Sequence, residues 1–423
     1  MRPSDKIILI RHAKYDRINH KIYGDGEMIY DIIIIGAGAS GLAAAISAKQ
    51  IDRKLNIAAL DAMPKVGKKI LATGNGRCNL SNLNAAADSY TNPDFVSAAL
   101  NEFPPERVIE FFRSIGLLCV ADGEGRVYPM SNTATSVLDA LRSEAERLGV
   151  ELICDSHVEK IEKKNGIFTV GKLVAKKVII CTGGCASASQ GSDGSGFGLL
   201  KSLGHHITEV YPGLVQLTTK ENTKSLKGVR AKANVSLRQG VKPIDDAKGE
   251  VLFTDYGLSG ISIMDISRSV KNGQYTCFID TLSRCETDEA EVFLLSIDKK
   301  IPIENALSGM IPKALGRYIL KRAGINSLTP LGELGKKEIT EIIKTAKNLD
   351  FTVTGTMGFK NAQISVGGAD VTEFNRKTME SKLVKGLFCA GEVLDTDSIC
   401  GGFNLQWAWA SGLVAGRYAA TEK

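Results

Sequence analysis

Apolar positions in this chain gather into runs that stop at glycine-rich turns, and that punctuation is the first guide to its organisation. Residues 30–35 are apolar apart from Asp31, and after Gly36, Gly38 and Gly41 an alanine-rich segment continues to Lys49. A strand that lacks alternation is covered on both faces, so this opening predicts a βα unit of a buried parallel sheet. A second strand is predicted at 56–60. Residues 64–82, rich in Gly, Lys and Asn, carry too little periodic hydrophobicity for a packed element and read as a loop. Helices follow at 94–115 and 136–148, then strands near 151–158, 167–170 and 177–181.

From about residue 191 the texture changes. Alternation at 229–238 and 275–280 predicts strands, whereas 286–347 is charged, helical and punctuated by Pro302, Pro312 and Pro330. Sheet texture resumes at 386–390, and 401–420 is a glycine turn feeding a long apolar helix. At 423 residues the chain exceeds one ordinary hydrophobic core. The pattern predicts one domain made of 30–190 and 356–423, interrupted by a β-rich module (191–285 and 348–355) that carries a helical subdomain (286–347).

Residues 1–29 form an N-terminal extension. Met28 directly precedes the first strand, so residues 1–27 read as a mis-called start, or else as a genuine extension with a strand at 6–10, without chemistry in either case. No signal-peptide pattern precedes the first strand, and the longest apolar run, 32–48, is short for a membrane span and broken by glycines. A cytoplasmic protein is expected. Nine cysteines without a CxxC pair point to reduced thiols, of which Cys78 is the best placed for a cofactor. A net charge of +6 without a basic block suits anionic small molecules, and no nucleic-acid partner is expected.

Two motifs carry chemistry. In Gly36-Ala37-Gly38-Ala39-Ser40-Gly41, Gly36 permits the tight turn, Gly38 lets a pyrophosphate approach the backbone, and Gly41 lets the helix pack on the strand. The helix N-terminus at Ala39 and Ser40 then faces the phosphates. Asp61 ends the second strand, where an acid bonds a ribose hydroxyl. This fingerprint leaves NAD or FAD open. The other end of the chain favours FAD: the apolar strand before Gly391 delivers Glu392 towards ribityl hydroxyls, and Gly401, Gly402 and Asn404 open a helix whose amides face the negative charge of a reduced flavin.

By further marks the chain resembles the two-domain bacterial flavoproteins that include YhiN, the aminoacetone-oxidase-like enzymes and the bile-acid reductase BaiN. Those marks are TGNGRCN (73–79), GEGRVYP (123–129), GEVLFT (249–254) with GLSG (257–260), KTMESK (377–382), and GEVLD (391–395) with GGFNLQWA (401–408). The resemblance spans 30–417 and implies an α/β fold, a glutathione-reductase-type FAD-binding Rossmann domain split by the inserted module. It implies FAD contacts from Asp61, Ala62, Lys69, Thr73, Gly74, Arg77, Cys78, Asn79, the backbone at Val158, Thr182, Gly391, Glu392, Asn404 and Leu405. Asp61 stands where the family often has Glu, and Ala121 where some members have Cys.

The expected activity is NAD(P)H-dependent reduction of a conjugated C=C bond, in a 3-oxo-4-ene or 4,6-diene substrate of steroid or bile-acid type. No second GxGxxG is present, so NAD(P)H would visit transiently. The alternatives are a dioxygen-using oxidase of small amines such as aminoacetone, and a flavin-binding redox or RNA-associated protein without turnover. Arg77 and Tyr256 are the candidate catalytic residues. His205 and His206 read as surface histidines, Cys181 and Cys185 as unpaired, and no metal cluster is expected. The oligomeric state is not legible.

Overall fold

The computed structural model describes residues 29–421, so both readings of the N-terminal extension lie outside the described residues. β1 (Ile29–Ile35) lies inside a mainly parallel sheet, where Ile32, Ile33 and Ile34 are at most 1% exposed. Burial on both faces is why the strand reads as an apolar run. It pairs in parallel with β2 (Ile57–Leu60), which pairs with β3 (Glu151–Ile153). On its other side it pairs with β6 (Leu173–Ile180), after the hairpin β4 (Ile161–Lys164) and β5 (Ile167–Val170).

The far edge of β6 is shared. Residues 173–175 pair antiparallel with β5, whereas 178–180 pair in parallel with β13 (Leu387–Cys389), a strand from the end of the chain. The sheet is therefore completed by the C-terminal segment. The first helix (Ala39–Ile51) and the terminal helix (Phe403–Thr421) cross in close contact: a Cβ added to Gly412 would meet the Ser40 carbonyl at 2.4 Å, and one on Gly416 the Ala44 carbonyl at 2.1 Å.

Between these halves a closed barrel forms from β7 (Leu217–Thr219), β8 (Arg230–Gln239), β9 (Lys242–Phe253), β10 (Gly257–Ser259), β11 (Tyr275–Asp280) and β12 (Leu349–Thr356), in the spatial order β7-β10-β9-β8-β11-β12. Helices at Thr287–Ser296, Ile303–Leu307, Lys313–Arg322 and Lys336–Lys347 share its hydrophobic core. The helix Ser195–Ser202, which the sequence pattern places in the inserted module, packs Phe197, Leu199 and Leu200 into the sheet core instead.

Local differences have local causes. The helix expected over 94–115 breaks into Pro93–Glu102 and Pro105–Ser114, because Pro104 and Pro105 supply no amide donor and Phe103 before them is pushed out of helical backbone. β9 has no apolar alternation, since only Val251 and Phe253 near its end are buried and its hairpin pairing with β8 holds it. His205 is buried rather than on the surface. It stacks on Phe374, with Nδ1 2.8 Å from Glu373 Oε2 and Nε2 3.0 Å from Ser381 Oγ, while His206 stays exposed. That cluster ties the KTMESK segment to the turn after the Ser195–Ser202 helix. No helix of the described residues is long and apolar enough to cross a membrane.

Gly416→Val forces a side chain onto the Ala44 carbonyl and should destabilise the fold by roughly 1–3 kcal/mol or more. Gly198→Ala, whose Cβ meets nothing within 4 Å, should raise the melting temperature slightly or leave it unchanged. Calorimetry on both variants checks this, and an unchanged melting temperature for Gly416→Val would contradict the close crossing.

Candidate functional site

At the C-terminal ends of β1, β2 and β6, where open α/β sheets bind ligands, lies a cavity of about 910 Å³ whose opposite wall is the barrel. Gly36 has φ +95°, and a Cβ there would meet the Cys181 carbonyl at 2.4 Å; one on Gly41 would meet the Gly36 carbonyl at 1.9 Å. These two glycines are required by the protein's own backbone. Gly38 differs: a Cβ there would meet no protein atom within 4 Å, and the residue lines the cavity. The space is left for something else. Ala39 and Ser40 line the cavity beside it. Asp61 leaves β2 half-buried, its Oδ1 accepting the Met63 amide at 2.9 Å; burial raises its pKa, opposed by the Met63 and Ala37 amides.

The opposite end of the cavity is built by the start of the terminal helix. Gly402 has φ +101°, and a Cβ there would meet the Ser81 carbonyl at 2.3 Å, while Asn82 Nδ2 donates to the Gly401 carbonyl at 2.9 Å. Gln406 accepts from Ser81 Oγ at 2.7 Å, and Trp409 Nε1 donates to the Leu80 carbonyl at 2.8 Å. The QWAW segment thus fixes the chain that follows the TGNGRCN loop. That loop is conformationally costly, with Asn75 at φ +55° and Cys78 at φ +56° in left-handed backbone that non-glycine residues seldom adopt. Glu392 is held from two sides: Oε2 accepts from Lys69 Nζ and Oε1 from the Ser365 amide, each at 2.8 Å.

Of the residues expected to contact the cofactor, Ala62, Lys69, Thr73, Gly74, Arg77, Asn79, Val158, Thr182, Glu392, Gly401, Gly402, Asn404 and Leu405 line the cavity. Three expected contacts do not. Gly41 is a packing residue, Gly391 lies behind the wall with its amide on Ser411 Oγ, and Cys78 points into the sheet core, where burial pushes its thiol up to about 12. Cys181 is likewise raised to about 12 by burial, and all nine cysteines are free thiols. Tyr256, expected as a catalytic residue, lies at the turn between β9 and β10, 37% exposed and outside the cavity lining. Arg77 forms no salt bridge among the described residues; its guanidinium lies 4.9 Å from the centre of the Tyr128 ring.

The barrel adds residues that sequence reasoning did not select: Arg230 paired with Glu250, with Leu252, Ile261 and Met264 beside them. Arg126 and Tyr128 of the GEGRVYP motif also line the cavity, and the signal for them is the strand alternation of residues 126–129. No group of three metal-ligating side chains occurs among the described residues.

The residues present fit FAD. The open volume at Gly38, the acid after β2, the salt-bridged acid at Glu392 and a helix N-terminus at Gly402 follow one another along one cavity. The Asn79 Oδ1 and Thr396 Oγ1 atoms are buried without a protein partner, and both residues line this cavity. A family model described as HI0933-like protein Rossmann domain matches residues 30–418. The 3-dehydro-bile acid delta(4,6)-reductase of Clostridium scindens is 38% identical, covering 92% of this chain and 98% of that protein. The ribosomal RNA dihydrouridine synthase of Escherichia coli is 29% identical, covering 90% and 96%. A solved 3-ketosteroid delta1-dehydrogenase from Sterolibacterium denitrificans overlaps 93% of this chain and 100% of its own, at 13% identity and a TM-score of 0.49.

Loss of a charge-assisted hydrogen bond costs roughly 1.5–3 kcal/mol, so Glu392→Ala should weaken FAD binding by about one to two orders of magnitude. Glu392→Gln, which keeps an acceptor for the Ser365 amide, should lose less. Glu250→Ala, on the barrel wall, should leave the affinity near that of the wild type. Flavin fluorescence on dissociation measures all three, and FAD retained by Glu392→Ala but lost from Glu250→Ala would place the cofactor wrongly.

Proposed function

The chain belongs to the HI0933-like Rossmann family, and from that premise we propose that it is an FAD-dependent oxidoreductase that reduces a C=C bond conjugated to a carbonyl, with NAD(P)H as the transient reductant. When bound, FAD takes up a hydride from the nicotinamide and supplies one to the substrate carbon. The chain's own residues bind and orient. The turn at Gly36 and Gly38 and the first helix take the pyrophosphate, Asp61 the ribose, Lys69 with Glu392 the ribityl chain, and the amides at Gly402 and Asn404 the pyrimidine edge.

The observation that carries this reading is the continuity of the cavity from the glycine cradle to the barrel, whose Leu252, Ile261 and Met264, with Leu214, form an apolar wall facing the cofactor end. Such a wall suits a flat, rigid, apolar substrate, and the 38% identical relative is named as a 3-dehydro-bile acid delta(4,6)-reductase. A steroid or bile-acid type 3-oxo-4-ene or 4,6-diene is therefore the proposed substrate class.

A second reading keeps the chemistry and changes the substrate. The uracil ring also holds a C=C bond conjugated to a carbonyl, and the Escherichia coli relative is named for reducing it in ribosomal RNA. Lys68, Arg77 and Lys360 line the cavity and form no salt bridge among the described residues, so backbone phosphates would find positive charge there.

Anaerobic stopped-flow separates these readings. NADH or NADPH should bleach the flavin, and a 3-oxo-4-ene or 4,6-diene steroid should restore its colour. Restoration by a ribosomal RNA transcript alone would favour the second reading. Bleaching by aminoacetone and not by a nicotinamide would overturn both in favour of an amine oxidase.

A further inference from the structure

Saturating a conjugated C=C bond needs a proton as well as a hydride, and Tyr256, the phenol selected from sequence, is outside the cavity. Several other proton-bearing groups of its lining are already engaged in ion pairs. Lys69 is bonded to Glu392, Arg126 to Asp122 and Glu124, and Arg230 to Glu250. The Cys400 thiol is turned towards the Asp265 carboxylate.

Tyr128 is different. The strand Arg126–Pro129 pairs with Ser81 and Asn82, and it alternates: Val127 and Pro129 are buried, whereas Arg126 and Tyr128 share the face that lines the cavity. The Ser81 carbonyl lies against Gly402, where a Cβ would meet it at 2.3 Å, and the Asn82 side-chain amide donates to the Gly401 carbonyl, so Tyr128 stands on the strand beside the glycine turn that opens the terminal helix. Its hydroxyl has no hydrogen-bond partner among the described residues, and the Arg77 guanidinium lies over its ring at 4.9 Å. A free phenol and an unpaired cation therefore face the cofactor end of the cavity together.

We propose that Tyr128 is the proton donor of the reduction and that Arg77 holds the substrate's carbonyl oxygen; the inference rests on the C=C reductase reading above. The β carbon gains the hydride, whose two electrons originate in NAD(P)H, and the π pair moves onto the α carbon and the carbonyl oxygen. The Arg77 charge stabilises that oxygen as it becomes negative. The α carbon then takes the proton of Tyr128: the O–H bond breaks, its electron pair stays on the phenolic oxygen, and solvent returns the proton.

The test uses the FAD-loaded full chain as wild type, Tyr128→Phe, Arg77→Met and Tyr256→Phe. In Tyr128→Phe the nicotinamide should bleach the flavin at the wild-type rate, while substrate-driven recovery of colour should slow by roughly 10²–10⁴-fold, the usual worth of a positioned general acid. In D₂O the wild type should place deuterium on one face of the α carbon, and Tyr128→Phe should scramble it. A readout without turnover is the ultraviolet band of a 3-oxo-4-ene steroid bound to oxidised enzyme: it should shift to the red in wild type and Tyr128→Phe but not in Arg77→Met. Tyr256→Phe should match wild type throughout. If Tyr128→Phe keeps both rate and facial selectivity while wild type reduces the substrate, the donor role is overturned and the reductase reading stands. If wild-type flavin is reoxidised by no conjugated carbonyl substrate, steroid or RNA, the reductase reading fails and the donor role with it. Should Tyr128→Phe lose FAD, Arg77→Met carries the test, and a wild-type rate together with a band still shifted to the red there overturns the pair.

Discussion

The cofactor site depends on a backbone contact between the two ends of the chain. Gly412 and Gly416 bring the terminal helix onto the carbonyls of Ser40 and Ala44, closer than any residue with a side chain allows. Ser47 Oγ donates to the Leu413 carbonyl at 2.7 Å across the same contact. Because each helix begins at the cavity, this crossing sets where two positive helix ends stand relative to each other. A dinucleotide that carries a pyrophosphate in its middle and an electron-accepting ring at one end needs both.

A second tie runs from the barrel to the loop that feeds the terminal helix. Arg268, just after the barrel helix Ile261–Ser267, donates to Asp397 Oδ1 at 2.5 Å, and Thr91 Oγ1 donates to Oδ2 at 2.9 Å. Asp265 accepts the Cys400 amide at 2.7 Å. Asp397 is 1% exposed at its side chain, and a buried charge stripped of its partner is costly, so this junction resists opening. The barrel wall of the cavity and the turn that opens the terminal helix are thereby held as one piece.

What the sequence made legible followed from constraints that act on single residues. β1 was plain because burial on both faces of residues 32–35 leaves no polar position tolerable there, and Gly36 and Gly41 because each sits where a Cβ would strike backbone. Glu392 was found because it ends an apolar strand, though its salt bridge to Lys69, 323 positions away, was not foreseeable. Illegible features depended on what each residue pairs with or packs against. β9 is held by pairing rather than by its own pattern, and His205 is buried only because Phe374, Glu373 and Ser381 arrive beside it. Tyr128 stands within a family motif and Tyr256 between two; only the pairing of residues 126–129 with Ser81 and Asn82 shows which of them meets the cavity.

The central claim is that this cavity holds FAD with its pyrophosphate over Gly38. Gly38 has extended backbone, with φ −84° and ψ −154°, and open space beside it, so valine there should fold and yet occupy the phosphate position. The decisive measurement is the flavin released on denaturation, per chain, from purified wild type and Gly38→Val of matched melting temperature. The wild type should be yellow and release about one FAD per chain, and the variant should release almost none. A colourless wild type that cannot be reconstituted with FAD, or a Gly38→Val protein that holds FAD as fully as the wild type, would contradict the account.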